Sequence, residues 1–214
     1  MPTPVAGPGE VRIRLEASGV NPADVGRRGG SYRAMEYPRV IPNSDGAGIV
    51  DQVGDGVTRL KAGQRVWLFN GQRNGRAFGT AAEYIALAEQ LVTPLPDSLS
   101  FAQGATLGIP CMTAWTCLFC DGPIAGKTVL VTGGAGAVGH YAVQLAKWGG
   151  AQVIAMVEAG EAKAPVPLDS HRFDFHRVLG HGDELIISRA GFGRWRRQRA
   201  AHHWGWYSNV SYSD

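Results

Sequence analysis

One stretch, TGGAGAVGHYAVQLAKWGG (132–150), constrains this chain more than any other. It overlaps the end of TVLVT (128–132), a β-branched run of the kind that forms a strand buried on both faces. It is followed by QVIAMV (152–157), which reads as a second strand. Between them, AVQLAKW offers Val143, Leu145, Ala146 and Trp148 as the apolar face of a helix packed on a sheet. The order strand, glycine turn, helix, strand predicts a βαβ unit of about 30 residues. Within it Gly134, Gly136 and Gly139 satisfy G-x-G-x-x-G. That pattern is weak alone and gains meaning by following a strand and opening a helix.

The chemistry asks for glycine here. A tight strand-to-helix turn needs φ values that a Cβ resists, a diphosphate must come close to the backbone, and the helix must pack closely on the strand. Unpaired N–H groups at the helix start, with the macrodipole behind them, then receive the anion. Gly133, Gly134, Ala135, Gly136, Ala137, Val138 and Gly139 are therefore read as a dinucleotide-binding turn, against the plainer reading of a glycine turn with no ligand. Glu158 falls at the end of the second strand, where a carboxylate accepts hydrogen bonds from a ribose 2′-OH and repels a 2′-phosphate. An ordinary exposed carboxylate is the alternative.

The first hundred residues have a different texture. EVRIRLEAS (10–18) alternates Val11, Ile13, Leu15 and Ala17, the period of a half-buried strand, and a glycine- and proline-rich turn is expected after it. GAGIVDQVG (46–54), QRVWLFN (64–70) and TAAEYIALAEQLVTPLP (80–96) read as further short β-rich stretches between turn signals, predicting a compact, mostly β domain. At Ser100 the pattern changes: Ser100 and Gln103 form a capping-box arrangement at the head of a helix. CMTAWTCLFC after Pro110 reads as a second helical segment.

Composition closes several avenues. A formal charge of +3 argues by itself for neither nucleic acid nor membrane. The three cysteines, Cys111, Cys117 and Cys120, are an odd number in one cluster, which fits a reducing compartment better than a disulfide framework. No charged leader with an apolar segment opens the sequence, and no apolar run approaches the roughly 18 residues of a membrane span. A cytoplasmic protein is expected.

A β-rich N-terminal segment joined to a later nucleotide fold resembles the medium-chain dehydrogenase/reductase superfamily, and within it the zinc-free quinone oxidoreductases related to ζ-crystallin. ASGVNPADVGRRGGSY (17–32) is similar to the family's first active-site strand and loop, and IPNSDGAGIVDQVGDGVTRLKAGQRV (41–66) resembles its next block. GTAAEYIAL (79–87), GATLGIPCMTAW (104–115) and GKTVLVTGGAGAVGHYAVQLAK (126–147) follow in family order, the last departing from the quinone-oxidoreductase signature at Ala137. The resemblance covers residues 8–157. It implies an α/β fold: a GroES-like catalytic domain over 1–98, a partial Rossmann dinucleotide-binding domain over 99–160, and an aberrant or poorly structured tail over 161–214.

The resemblance also bears on metal and chemistry. Where the alcohol-dehydrogenase branch carries a cysteine, a His-Glu pair and a second cysteine, this chain has Asn21, Ser44 with Asp45, and Ile109. No zinc is expected, and the cysteines read as buried apolar residues. The implied reaction is hydride transfer from a reduced nicotinamide to a small quinone or enone, with the protein supplying orientation and exclusion of water. Asn21 and Tyr32 would line the substrate side and polarise the acceptor oxygen, and Thr113 would steady the nicotinamide carboxamide. Each also has a plainer reading, Asn21 before Pro22 as a turn former and Tyr32 as a loop aromatic. Glu158 favours NADH and Lys163 favours NADPH; the family expectation tips the choice to NADPH. Full-length relatives of this kind are expected to be homo-oligomers.

Beyond residue 160 the resemblance ends. This stretch holds His171, His176, His181, His202 and His203, three of the six tryptophans (Trp195, Trp204, Trp206) and the cluster Arg194, Arg196, Arg197 and Arg199. Glycine codons read one base out of register become arginine and tryptophan codons, so a shifted reading frame with early termination is the expected origin. A late start codon or a lost N-terminus is expected at the other end. Two other readings of the tail are single-stranded RNA binding through its arginines and tryptophans, and metal binding by His202 and His203 with His181 or His176.

Overall fold

The computed structural model describes residues 1–30, 37–72 and 76–156, and the backbone of 184–187. Tyr32, Glu158 and Lys163 lie outside the described residues, as do the arginines, tryptophans and histidines of the tail. The chain divides into two compact units, Met1–Met112 and Thr113–Asp214.

The first unit is built on five antiparallel strands: β1 (Glu10–Gly19), β2 (Asp45–Val53), β3 (Arg65–Leu68), β4 (Tyr84–Ala88) and β5 (Val92–Pro94). The alternation read in 10–18 holds: Val11 and Ile13 are fully buried while Arg14 and Glu16 face solvent. Val50, Val66, Leu68, Ile85 and Val92 complete that core.

The strand order is β4-β1-β2-β3-β5, so the two outermost strands are neighbours in sequence, joined only by the 3₁₀ turn Glu89–Leu91. Four inter-strand steps would separate them by about 19 Å if the sheet were flat. From Ala88 to Val92 the backbone reaches only about 14 Å fully extended. The sheet therefore curls until its two rims approach.

Between β1 and β2 lies a difference from expectation. In place of a turn, residues Pro22–Arg28 form a short helix, α1. Asn21 is its N-cap, Pro22 opens it, Asp24 sits in the first turn, and Arg27 and Arg28 sit in the last. Those are the charges the helix dipole favours at each end. The Asp24 carboxylate accepts a 2.8 Å bond from the Asn21 N–H.

At Ser100 the capping box is present as read: the Gln103 N–H donates to Ser100 Oγ (3.2 Å) and the Ser100 N–H to Gln103 Oε1 (2.8 Å). The helix it starts, α2 (Phe101–Gly104), is a single turn. Its end packs on Ala47 and Leu95, which places it with the β-rich unit. A π turn over Leu107–Cys111, containing Pro110, follows.

The second unit opens with α3 (Met112–Phe119), whose first residue the division leaves in the first unit. Three parallel strands follow in the order β7-β6-β8: β6 (Thr128–Thr132) lies between β7 (Gln152–Met156) and β8 (Glu184–Ile187). Helix α4 (Ala137–Trp148) connects β6 to β7. Val129, Val131, Ala142, Ala146 and Ala155 form the core with Ala114 and Leu118 of α3. Val143 and Ala146 are buried as read, but Trp148 is 73% exposed. It closes the helix beside Trp115 and Phe119, with ring centroids 5.8 and 6.2 Å away.

Candidate functional site

Two constellations carry chemistry, one in each unit. The first is organised by Asp45 at the start of β2, which is fully buried. Its Oδ2 accepts bonds from Asn21 Nδ2 (2.8 Å) and from the Ile109 N–H (2.7 Å), while its carbonyl accepts from Thr80 Oγ1 (2.6 Å). Asn21, Asp45 and Ile109, the places where the resemblance sets metal ligands in the zinc-binding branch, are thus joined here by hydrogen bonds through one carboxylate. An asparagine amide and a backbone N–H are not zinc ligands, so this donor set does not suit that metal.

A carboxylate only accepts, so the Asn21 carboxamide must turn its nitrogen toward Asp45. One Nδ2 hydrogen is used; among the described residues the second has no partner. Asn21 is buried, and the helix start holds its backbone. The sequence reading identified Asn21 but missed Asp45 as the group that orients it. The missed signal was Gly108: a Cβ there would lie 2.1 Å from Asp45 Oδ1, so only glycine leaves room for the carboxylate.

Asp24 sits on the other side of Asn21. It is buried, and among the described residues its Oδ1 has no hydrogen-bond partner. Burial, opposed by the Asn21 N–H and by Arg27, raises its pKa from the ordinary 3.8. A carboxyl whose folded pKa lies above its unfolded value stabilises the fold below the unfolded pKa and loses that contribution as pH rises through the folded pKa. Asp24→Asn keeps an acceptor for the Asn21 N–H and removes the charge. Its urea midpoint is expected to equal or exceed the parent's at pH 7, with the difference shrinking toward pH 3 as Asp24 of the parent protonates; a lower midpoint at pH 7 would contradict this assignment.

The second constellation is the turn between β6 and α4. Gly133 has φ +67°, and a Cβ on Gly139 would lie 2.0 Å from the Gly133 carbonyl oxygen, so both positions require glycine. The turn amides do not act alike. The Gly134 N–H donates to the Met156 carbonyl (2.8 Å) and the Gly136 N–H to the Gly133 carbonyl (2.9 Å), so these two are spent inside the turn. Gly136 is the N-cap of α4, with no side-chain cap, and the next three N–H groups, of Ala137, Val138 and Gly139, have no acceptor among the described residues. They stand at the positive end of a helix of 12 residues, leaving from the C-terminal end of a parallel strand.

Thr113 is half-buried in the first turn of α3. The cysteines depart from the apolar-core expectation: Cys111 and Cys117 are half-buried and Cys120 is exposed. Burial raises the Cys111 thiol's pKa, and burial together with Cys120 raises that of Cys117.

Residues 7–97 match the model of the alcohol dehydrogenase GroES-like domain. A quinone oxidoreductase of Rattus norvegicus is 36% identical over 186 residues, covering 86% of this chain and 55% of the relative. Over the stretches that align, the chain is similar to members of the medium-chain dehydrogenase/reductase superfamily. A 2-methylene-furan-3-one reductase of Solanum lycopersicum is 39% identical over 158 residues, 71% of this chain and 41% of the relative. The solved structure of the Escherichia coli quinone oxidoreductase complexed with NADPH superposes with a TM-score of 0.64 at 28% identity, over 75% of this chain and 48% of that one. The chain thus spans about half the length of the curated quinone oxidoreductases it matches. Among its described residues no helix is long and apolar enough to cross a membrane.

Proposed function

We propose that this chain is an NADPH-dependent oxidoreductase that transfers hydride to a small quinone or enone, with NADH as the alternative cofactor. The observation that carries this reading is the trio of open N–H groups on Ala137, Val138 and Gly139 at the head of α4. The relatives support it, being quinone and enone reductases, one of them solved with NADPH.

Ala137, Val138 and Gly139 would hold the diphosphate through their amides, Gly133 would let the backbone turn beneath it, and Thr113 would meet the carboxamide. Glu158 and Lys163 remain the proposed readers of the ribose. When bound, the reduced nicotinamide supplies the hydride. The chain supplies a donor for the acceptor oxygen, where negative charge grows as hydride arrives. We assign that role to the second Nδ2 hydrogen of Asn21, oriented by Asp45, with Tyr32 as its companion.

Titrating the purified chain into NADPH and following nucleotide fluorescence tests the reading, with saturable quenching as the expected result. A linear, non-saturating response would reject it. Asn21→Ala is expected to lower kcat/KM for a quinone about 100-fold, as removal of one oxyanion donor does elsewhere, while leaving the NADPH titration unchanged. An unchanged kcat/KM removes Asn21 from the proposed role.

A further inference from the structure

We propose that Cys117 and Cys120 are a modification site, forming a reversible intramolecular disulfide when a hydroperoxide oxidises the pair. The two cysteines end α3 in a C-x-x-C arrangement, CLFC (117–120), which hydride transfer does not use. Cys117 is in the last turn, half-buried against the core of the second unit. Cys120 is exposed just past the helix end, where its N–H still closes the helical bond to the Thr116 carbonyl at 3.1 Å.

Residues three apart on an α-helix are separated by a rise of about 4.5 Å and lie on one face, so their Cα atoms are about 5 Å apart. Disulfides span Cα separations of about 4.4–6.8 Å. Helical Cβ atoms at this spacing are about 5–6 Å apart, whereas a disulfide wants about 3.5–4.5 Å. Rotation at Cys120 closes that gap, because it lies outside the helix and leads into a turn at Gly122, which has φ +99°. The helix end favours the longer spacing, so the bond is strained and exposed, the combination that makes a disulfide easy to reduce.

The two sulfurs differ in role. Cys120 meets solvent and attacks first: its thiolate sulfur takes an oxygen of the hydroperoxide, the O–O bond breaks, and water or an alcohol leaves. Cys120 is then a sulfenic acid. The sulfur of Cys117, giving up its proton, displaces the sulfenic oxygen as water and the S–S bond forms. Two thiols lose two electrons and the hydroperoxide gains two. A dithiol reductant resets the pair by exchange, ending as its own disulfide. Cys117 is held as a thiol by burial and by its neighbour, and so waits for this second step.

The test uses the whole chain, reduced and then treated with hydrogen peroxide in native buffer. Expected is a 2 Da loss (about the mass of two hydrogens) on the peptide carrying both cysteines. The count of free thiols should fall from the three of the sequence to the one of Cys111, and dithiothreitol should restore it. With Cys117→Ser, dimedone should trap a sulfenic acid on Cys120; with Cys120→Ser, the same dose should leave Cys117 unmodified. In guanidinium this asymmetry should vanish, since it comes from the fold. Equal labelling of both variants in native buffer, a disulfide between two chains, or pairing through Cys111 would each overturn the proposal.

Discussion

Gly139→Ala is expected to abolish saturable NADPH binding, raising Kd at least about 100-fold, or about 2.7 kcal/mol. The added Cβ would lie 2.0 Å from the Gly133 carbonyl oxygen and 2.8 Å from the Gly133 carbonyl carbon. Both are backbone atoms of a residue already at φ +67°, so no side chain can swing aside. The turn must open, and the three amides at the head of α4 lose their common aim. Overpacking of this kind also costs about 1–3 kcal/mol of stability. Circular dichroism of the variant separates the two effects: intact helix and strand signals with no quenching is the expected result, and parental affinity would contradict the assignment of the turn.

Gly108→Ala should produce the other large effect, in the first unit. A Cβ at 108 would lie 2.1 Å from Asp45 Oδ1 and 2.3 Å from its Cγ, in a place where Asp45 has no exposed surface to retreat to. Displacing the carboxylate takes it from the Asn21 amide and the Ile109 N–H, each worth about 1.5–3 kcal/mol as a bond to a charged group. A loss of about 3 kcal/mol is expected, which at a typical urea slope lowers the midpoint by about 1.5 M. Quinone turnover should fall with it, because Asn21 loses the acceptor that orients it. Adding Asp45→Ala to Gly108→Ala should cost less than the sum of the two single changes, since both remove the same contact. Additive losses would mean that Gly108 matters for another reason.

How much of this was legible in the residues follows from the range of the forces involved. The strands 10–18 and 128–132 were readable because hydrophobic period and β-branching are local, and the Ser100 and Gln103 cap because it closes over three residues. Helix α1 was read as a turn because Asn21-Pro22 and the glycines around Arg27 and Arg28 are turn signals. The same Asn-Pro pair, followed by an acid in the first turn and bases in the last, also describes a capped helix, and the fold selects that option. The turn at 133–139 was found, but not the division of labour among its amides, which depends on the Met156 carbonyl across the sheet. The link from Asn21 to Asp45 spans 24 residues and that from Asp45 to Ile109 spans 64; no local pattern announces either.

The curl of the first sheet has a consequence for how this polypeptide behaves among its own copies. A long flat margin of unsatisfied amides and carbonyls is what recruits a foreign strand and seeds fibrils or swapped pairs. Here both margins are short, five and three residues, one ends in Pro94, which has no N–H to offer, and the three-residue link turns them toward each other. Docking sites for an intruding chain are thereby kept few along this sheet.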